Sequence, residues 1–138
     1  MNRIIGVDYG SKRTGISITD SLQIIATPLK TVPTNSLIVH LDHLIDKYSV
    51  EIVVFGKPVN LNLLENQISS HLKGFITRFK QKYPNIQVVN IDERYTSKIA
   101  KQSILQSGLP KNKRKNKDLI DKISAAIILQ NYLDYNKL

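Results

Sequence analysis

Apolar residues along this chain fall into short runs with two different periods. Ile4, Ile5 and Val7 form a run rich in β-branched residues, and Thr14, Ile16 and Ile18 alternate with Ser17 and Thr19. Between them Tyr9 to Arg13 contain Gly10 and Ser11, which predicts a hairpin turn. Residues 24–28, IIATP, predict a third short strand that stops at Pro28. Asn35 or Ser36 then caps a helix in which Leu37, Ile38, Leu41, Leu44, Ile45 and Tyr48 recur at helical spacing. Residues 51–58, EIVVFGKP, read as a buried strand that opens into a loop. A second helix, capped by Asn60 or Asn62, carries Ile68, Leu72, Phe75, Ile76 and Phe79 and runs to about Lys82, where Tyr83-Pro84-Asn85 ends it. IQVVNIDER, 86–94, predicts another strand, and Thr96 or Ser97 caps a helix to about Ser107, stopped by Gly108 and Pro110. The last helix is predicted from about Asp118 to Leu133, apolar almost all round in its second half and so expected to be well buried.

The predicted order is β-β-β-α-β-α-β-α-α. Three leading strands joined by short turns imply an antiparallel meander. Strands that alternate with helices add in parallel. The expected fold class is α/β: a five-stranded mixed sheet with helices on both faces. With 138 residues, no internal repeat and no linker, residues 1–138 are expected to form a single domain. A chain of this size buries roughly two thirds of its unfolded surface.

Composition narrows the function. There is no cysteine, which excludes disulfides, thiolate zinc sites and cysteine nucleophiles and fits a cytoplasmic protein. His40 and His43 have i,i+3 spacing, but a partly exposed helical pair explains them better than zinc. No apolar run approaches membrane-spanning length, and MNRIIGVD lacks the apolar core of a signal peptide, so neither a membrane span nor a leader is expected. The net charge of +9 favours a polyanionic partner, nucleic acid before a membrane surface.

Asp8 ends the first apolar run, where a carboxylate is costly unless paired or bound to a cation. Glu93 follows Ile91 at the end of its own predicted strand. If these strands run parallel, both acids emerge at the carboxyl edge of the sheet, where open α/β sheets bind ligands. Asp121 heads a helical stripe with Ala125, Ile128 and Tyr132, and Asp118 and Ser124 lie about one turn either side. Three acids without histidine make a hard, all-oxygen site suited to Mg²⁺ or Mn²⁺. Two such ions can activate water and stabilise a leaving oxygen in phosphodiester hydrolysis. Taken singly, each acid is better explained as a cap or as the partner of Arg13 or Arg94, and it is the three together, in a basic chain, that favour a metal site.

Four segments, GVDYGSKRTGISITD, VVFGKPVN, DERYTS and IDKISAAIILQNYLD, resemble in order and spacing the motifs of the YqgF family, also called the RuvX-like pre-16S rRNA nuclease family. The resemblance covers nearly the whole chain. It implies an RNase H-like fold related to Holliday junction resolvases and divalent-metal nuclease chemistry. Carried over by motif position, Asp8, Glu93 and Asp121 are the expected catalytic, metal-binding acids. Lys12, Arg13 and Arg94 sit in the same motifs and are expected to contact phosphate or, for Arg94, to order the site. The resolvase relatives carry a second helical acid where this chain has Ser124. The segment NLNLLENQ replaces a Gly-rich tail after Pro58, and Phe55 and Lys57 replace small or apolar residues.

KNKRKNK, 111–117, has five Lys or Arg in seven residues close to Asp121. Lys113, Arg114 and Lys115 are expected to hold a phosphate backbone without reading sequence. Aromatic residues are few, and no stacking platform for single strands is legible, though Tyr9 and Tyr95 stand beside two of the acids, where stacking on a base or sugar and plain packing explain them equally well. The expected activity is a metal-dependent endonuclease acting on structured RNA, the 5′ end of precursor 16S rRNA by family resemblance. The expected state is a monomer or weak dimer. The rivals are a resolvase of branched DNA, a nucleic-acid-binding module without catalysis, and a nucleotide-binding domain of the actin-like ATPase kind, which needs a second such domain.

Overall fold

The computed structural model describes residues 2–57, 63–92 and 117–136. Chain order is β1 (Arg3–Asp8), β2 (Arg13–Thr19), β3 (Ala26–Pro33), a 3-10 turn (Thr34–Ser36), α1 (Leu37–Lys47), β4 (Val50–Lys57), α2 (Leu63–Lys82), β5 (Gln87–Asp92) and α3 (Lys117–Asn136). The predicted helix over 96–107, the basic segment as far as Asn116 and the Asn60 or Asn62 cap lie outside the described residues.

The strands form one sheet in the order β3-β2-β1-β4-β5. β1 pairs antiparallel with β2 and β2 with β3, because turns of a few residues can only reverse the chain. β1 pairs parallel with β4 and β4 with β5, because a helix intervenes each time. The mixed sheet expected from the sequence is therefore the one observed.

The third strand differs from expectation. It passes through Pro28 and runs to Pro33. β3 is an edge strand, where a residue without an N–H costs no ladder bond. Ser17 pairs with Pro28 and Ile16 with Lys30, so Leu29 is an extra residue in a bulge beside the proline. Ile24 and Ile25 belong instead to the exposed turn before it. There the Asp20 carboxylate accepts hydrogen bonds from the backbone N–H groups of Leu22, Ile24 and Ile25.

Strand alternation sorts the side chains onto two faces. Ile5, Val7, Ile16, Ile18, Val53 and Phe55 pack with α1 and α2 around Leu37, Leu41, Phe75 and Phe79. Ile4 and Val54 pack with Ile128, Leu129 and Leu133 of α3 on the other face. The predicted burial of the second half of α3 holds: Ala125, Ala126, Ile128, Leu129 and Leu133 are all buried. Among the described residues no helix is long and apolar enough to cross a membrane.

Candidate active site

The site is built at the carboxyl ends of the parallel strands. Asp8 is the last residue of β1, and by alternation with Ile4 and Gly6 it faces α3. Its register partner across the antiparallel ladder is Gly15 of β2. Partners of this kind have Cα atoms about 4.5–5.5 Å apart and share a face of the sheet.

Gly15 is where α3 lands. A Cβ built on Gly15 falls 2.0 Å from the carbonyl oxygen of Asp121 and 2.4 Å from its carbonyl carbon. A side chain other than hydrogen would push the helix off the sheet. The absence of a Cβ thus seats the Asp121 backbone directly on the residue paired with Asp8. Gly6 repeats the device one turn further along: its Cβ would fall 2.8 Å from the Leu129 Cβ and 2.9 Å from the Ala125 carbonyl oxygen. Between the two glycine contacts Ser17 Oγ donates a 2.8 Å hydrogen bond to that same Ala125 carbonyl. Sequence reasoning missed this close-packed seam. The available signal was two glycines inside strands, where glycine is unfavourable unless another backbone approaches.

Arg13 closes the site from β2. Its Nε donates to Asp121 Oδ2 at 2.9 Å and lies 3.6 Å from Asp118 Oδ1. Asp118 is the more exposed of the two carboxylates. Asp118 and Asp121 are one helical turn apart and share a single guanidinium, so Arg13 offsets the like charge between them. Lys12 is exposed at the preceding turn position. The turn itself is tied down by Thr34, whose N–H donates to the Lys12 carbonyl at 3.0 Å and whose Oγ1 donates to the Gly10 carbonyl at 2.8 Å. Thr34 Oγ1 also lies 2.8 Å from Thr14 Oγ1. These bonds hold the segment that carries Asp8, Lys12 and Arg13, and nothing in the local sequence around Thr34 announces them.

Ser124, at the position where resolvase relatives carry an acid, is fully buried, and its Oγ has no hydrogen-bond partner among the described residues. Glu93, Arg94, Lys113, Arg114 and Lys115 lie outside the described residues. Among the described residues no three His, Cys, Asp or Glu side chains gather as a metal site. The donors that the fold does bring to this edge, Asp8 and Asp121, are carboxylates only, which fits a hard divalent cation and not zinc. His40 is on α1, which packs on the sheet face opposite α3, and its Nδ1 lies 3.0 Å from Lys30 Nζ.

The five-stranded mixed sheet, with α3 crossing one face, is a RuvC-like fold. Thermus thermophilus RuvC in complex with a Holliday junction substrate superposes with a TM-score of 0.62 at 13% identity, covering 98% of this chain and 96% of that one. Thermus thermophilus RuvC alone superposes at 0.56. The chain belongs to the RuvX family, described as "RuvX: Holliday junction resolvase", which it matches over residues 2–135. Similar relatives include proteins named "Putative pre-16S rRNA nuclease" from Flavobacterium johnsoniae, 49% identical with 96% of each chain covered. A protein of the same name from Phocaeicola vulgatus is 44% identical with 99% of each covered.

Proposed function

We propose that this chain is a metal-dependent endonuclease that hydrolyses phosphodiester bonds in structured nucleic acid, with the 5′ end of precursor 16S rRNA as its substrate. The observation that carries the reading is the seating of Asp121 on Gly15, the register partner of Asp8, at the carboxyl edge of the parallel strands. The names of the relatives, at 44–49% identity over nearly the whole chain, support the RNA substrate.

Asp8, Asp121 and Glu93 would hold the cations, Glu93 by its place in the sequence two residues after Ile91, which packs on the α3 face. Mg²⁺ or Mn²⁺, as two ions, would lower the pKa of an attacking water and offset charge on the leaving oxygen. Arg13 orients the Asp121 carboxylate through the 2.9 Å bond, so that the helical acid is preset before substrate arrives. Lys12, and beyond it Arg94, Lys113, Arg114 and Lys115, bind phosphates without reading sequence. A role on precursor rRNA places the protein in the cytoplasm, working as one compact domain over residues 1–138 and as a monomer or weak dimer.

The test is cleavage of two labelled substrates side by side, a precursor 16S rRNA fragment and a four-way DNA junction, with Mg²⁺, Mn²⁺ or chelator, for wild type and Asp8→Asn. RNA cleavage that needs metal and disappears in Asp8→Asn is the expected result. The description of the matched family favours a second reading, a junction resolvase. Cleavage confined to the junction would establish it in place of the first. Salt-sensitive binding without any cleavage would sink both and leave a binding module.

A further inference from the structure

A cleft of about 490 Å³ opens on the face of the sheet opposite α3, between the β1–β2 turn, the 3-10 turn and α2. Its floor is aromatic. Tyr9 packs on Phe75 with ring centroids 5.9 Å apart, and Phe75 in turn stacks on Phe79 at 6.3 Å and 21°. Phe75 and Phe79 are buried, whereas Tyr9 is half-buried and presents its ring to the cleft. Ser11 and Asn35 supply polar groups on one wall, and the cationic side chains of Arg78 and Lys82 line the other. Lys82 is already committed to Asp42 by a 2.7 Å ion pair. Arg78 is exposed, and no ion pair holds it among the described residues. It lines the same cleft as Tyr9.

Tyr9 follows Asp8 directly, so the two side chains leave β1 on opposite faces of the same sheet edge. We propose that this cleft receives one unpaired nucleotide of the substrate strand, its base stacked on Tyr9 and its phosphate on Arg78, while the neighbouring phosphodiester lies across the edge at Asp8. The placement at that edge rests on the nuclease reading. A cleft of 300–1,000 Å³ suits a group of roughly nucleotide size. A rigid aromatic ring beside a free guanidinium recognises a base and its phosphate without sequence preference. The aromatic platform joins the residue after β1 to α2, 66 positions apart (Tyr9 to Phe75), so the pairing itself is illegible along the chain. The substrate class implied is a duplex with a single-stranded extension, not a fully paired helix.

The experiment is equilibrium binding in chelator, where no metal-dependent cleavage interferes. Two fluorescently labelled RNA duplexes are compared, one with a short single-stranded extension and one with the same extension lacking its bases. Wild type is expected to prefer the base-bearing extension by between about 5-fold and about 150-fold, the range for one stacked base. Tyr9→Ala should abolish that preference and Tyr9→Phe should keep it. Arg78→Gln should weaken both duplexes alike and lower the slope of log K against log salt by about 0.7. Equal binding of the two duplexes by wild type, or an undiminished preference in folded Tyr9→Ala, overturns the proposal. Should Tyr9→Ala fail to fold, an unchanged salt slope in Arg78→Gln overturns it, since that side chain is on the surface. Loss of the preference in Tyr9→Ala together with no cleavage by metal-loaded wild type would leave the cleft standing and remove the nuclease reading alone.

Discussion

The two faces of the sheet are packed by different rules. The α1–α2 face is filled with large side chains: Phe55, Phe75, Phe79 and Tyr83 form a chain of ring contacts at 5.1–6.3 Å, surrounded by Ile5, Val7, Leu37 and Leu41. The α3 face is filled around small ones: Gly6, Gly15, Ser17, Ala125 and Ala126 bring a helix backbone into contact with a strand backbone. Large side chains contribute burial energy and have rotamers that adjust. Backbone-to-backbone contact has no such freedom, so it fixes position closely. The carboxylate that the proposed chemistry must hold within a fraction of an ångström is carried by the second face, and the cleft sits on the first.

This contrast predicts that the faces respond differently to substitution. The largest loss of stability is expected on the aromatic face. Phe55 is fully buried, and Phe55→Ala should cost about 3–5 kcal/mol. Thermal unfolding should show this as a fall in Tm of about 10 °C or more, while cleavage per folded molecule stays within a few-fold of wild type. Gly15→Ala should cost less stability, about 1–3 kcal/mol from overpacking. It should nevertheless abolish most cleavage, because α3 must lift Asp121 away from Asp8 to clear a contact of 2.0 Å. A Gly15→Ala protein with wild-type kcat would break the comparison outright.

A third substitution sharpens it. Ser124 Oγ is buried without a partner among the described residues, so Ser124→Ala should raise stability by about 1 kcal/mol, through relief of the unsatisfied hydroxyl and better helix propensity. Denaturant midpoints measure this, and lower stability with lower activity would instead give that hydroxyl a role in the site. The smallest effect concerns His40 on α1. Burial, then the nearby Lys30 and His43, hold its imidazole below the usual 6.5. The folded state binds this proton less readily than the unfolded state, so stability is complete above about pH 6.5 and declines as pH falls through the folded value. His40→Gln should flatten the slope of unfolding midpoint against pH just below about pH 6.5, and an unaltered slope would show that His40 does not carry it.

Two acids of the candidate site were legible because acids at the ends of apolar runs violate the local rule for buried strands. Asp8 and Asp121 stood out for that reason, one at the end of a β-branched run and the other at the head of an apolar helical stripe. Arg13 was a candidate for two roles, and the structure places it on Asp121 and Asp118. The seam of Gly6, Gly15 and Ser17, the Thr34 tether and the Tyr9–Phe75 platform were not legible, because each is a contact between residues far apart in sequence. The error at Pro28 has the same origin: proline ends a central strand but not an edge strand, and which strand lies at the edge is a property of the sheet order.

Among the described residues the sequence by itself determined the order of strands and helices and the mixed sheet, though not the bounds of β3, because hydrophobic period, turn residues and crossover length are local quantities. It also determined the absence of cysteine and the cationic balance of the chain. Only the tertiary structure decided that Asp121 comes down on the partner of Asp8, that Arg13 spans two acids, and that an aromatic cleft opens one residue away on the other face. Those outcomes depend on register and on the distance of closest approach between backbones, and a one-dimensional pattern of residue types does not carry either.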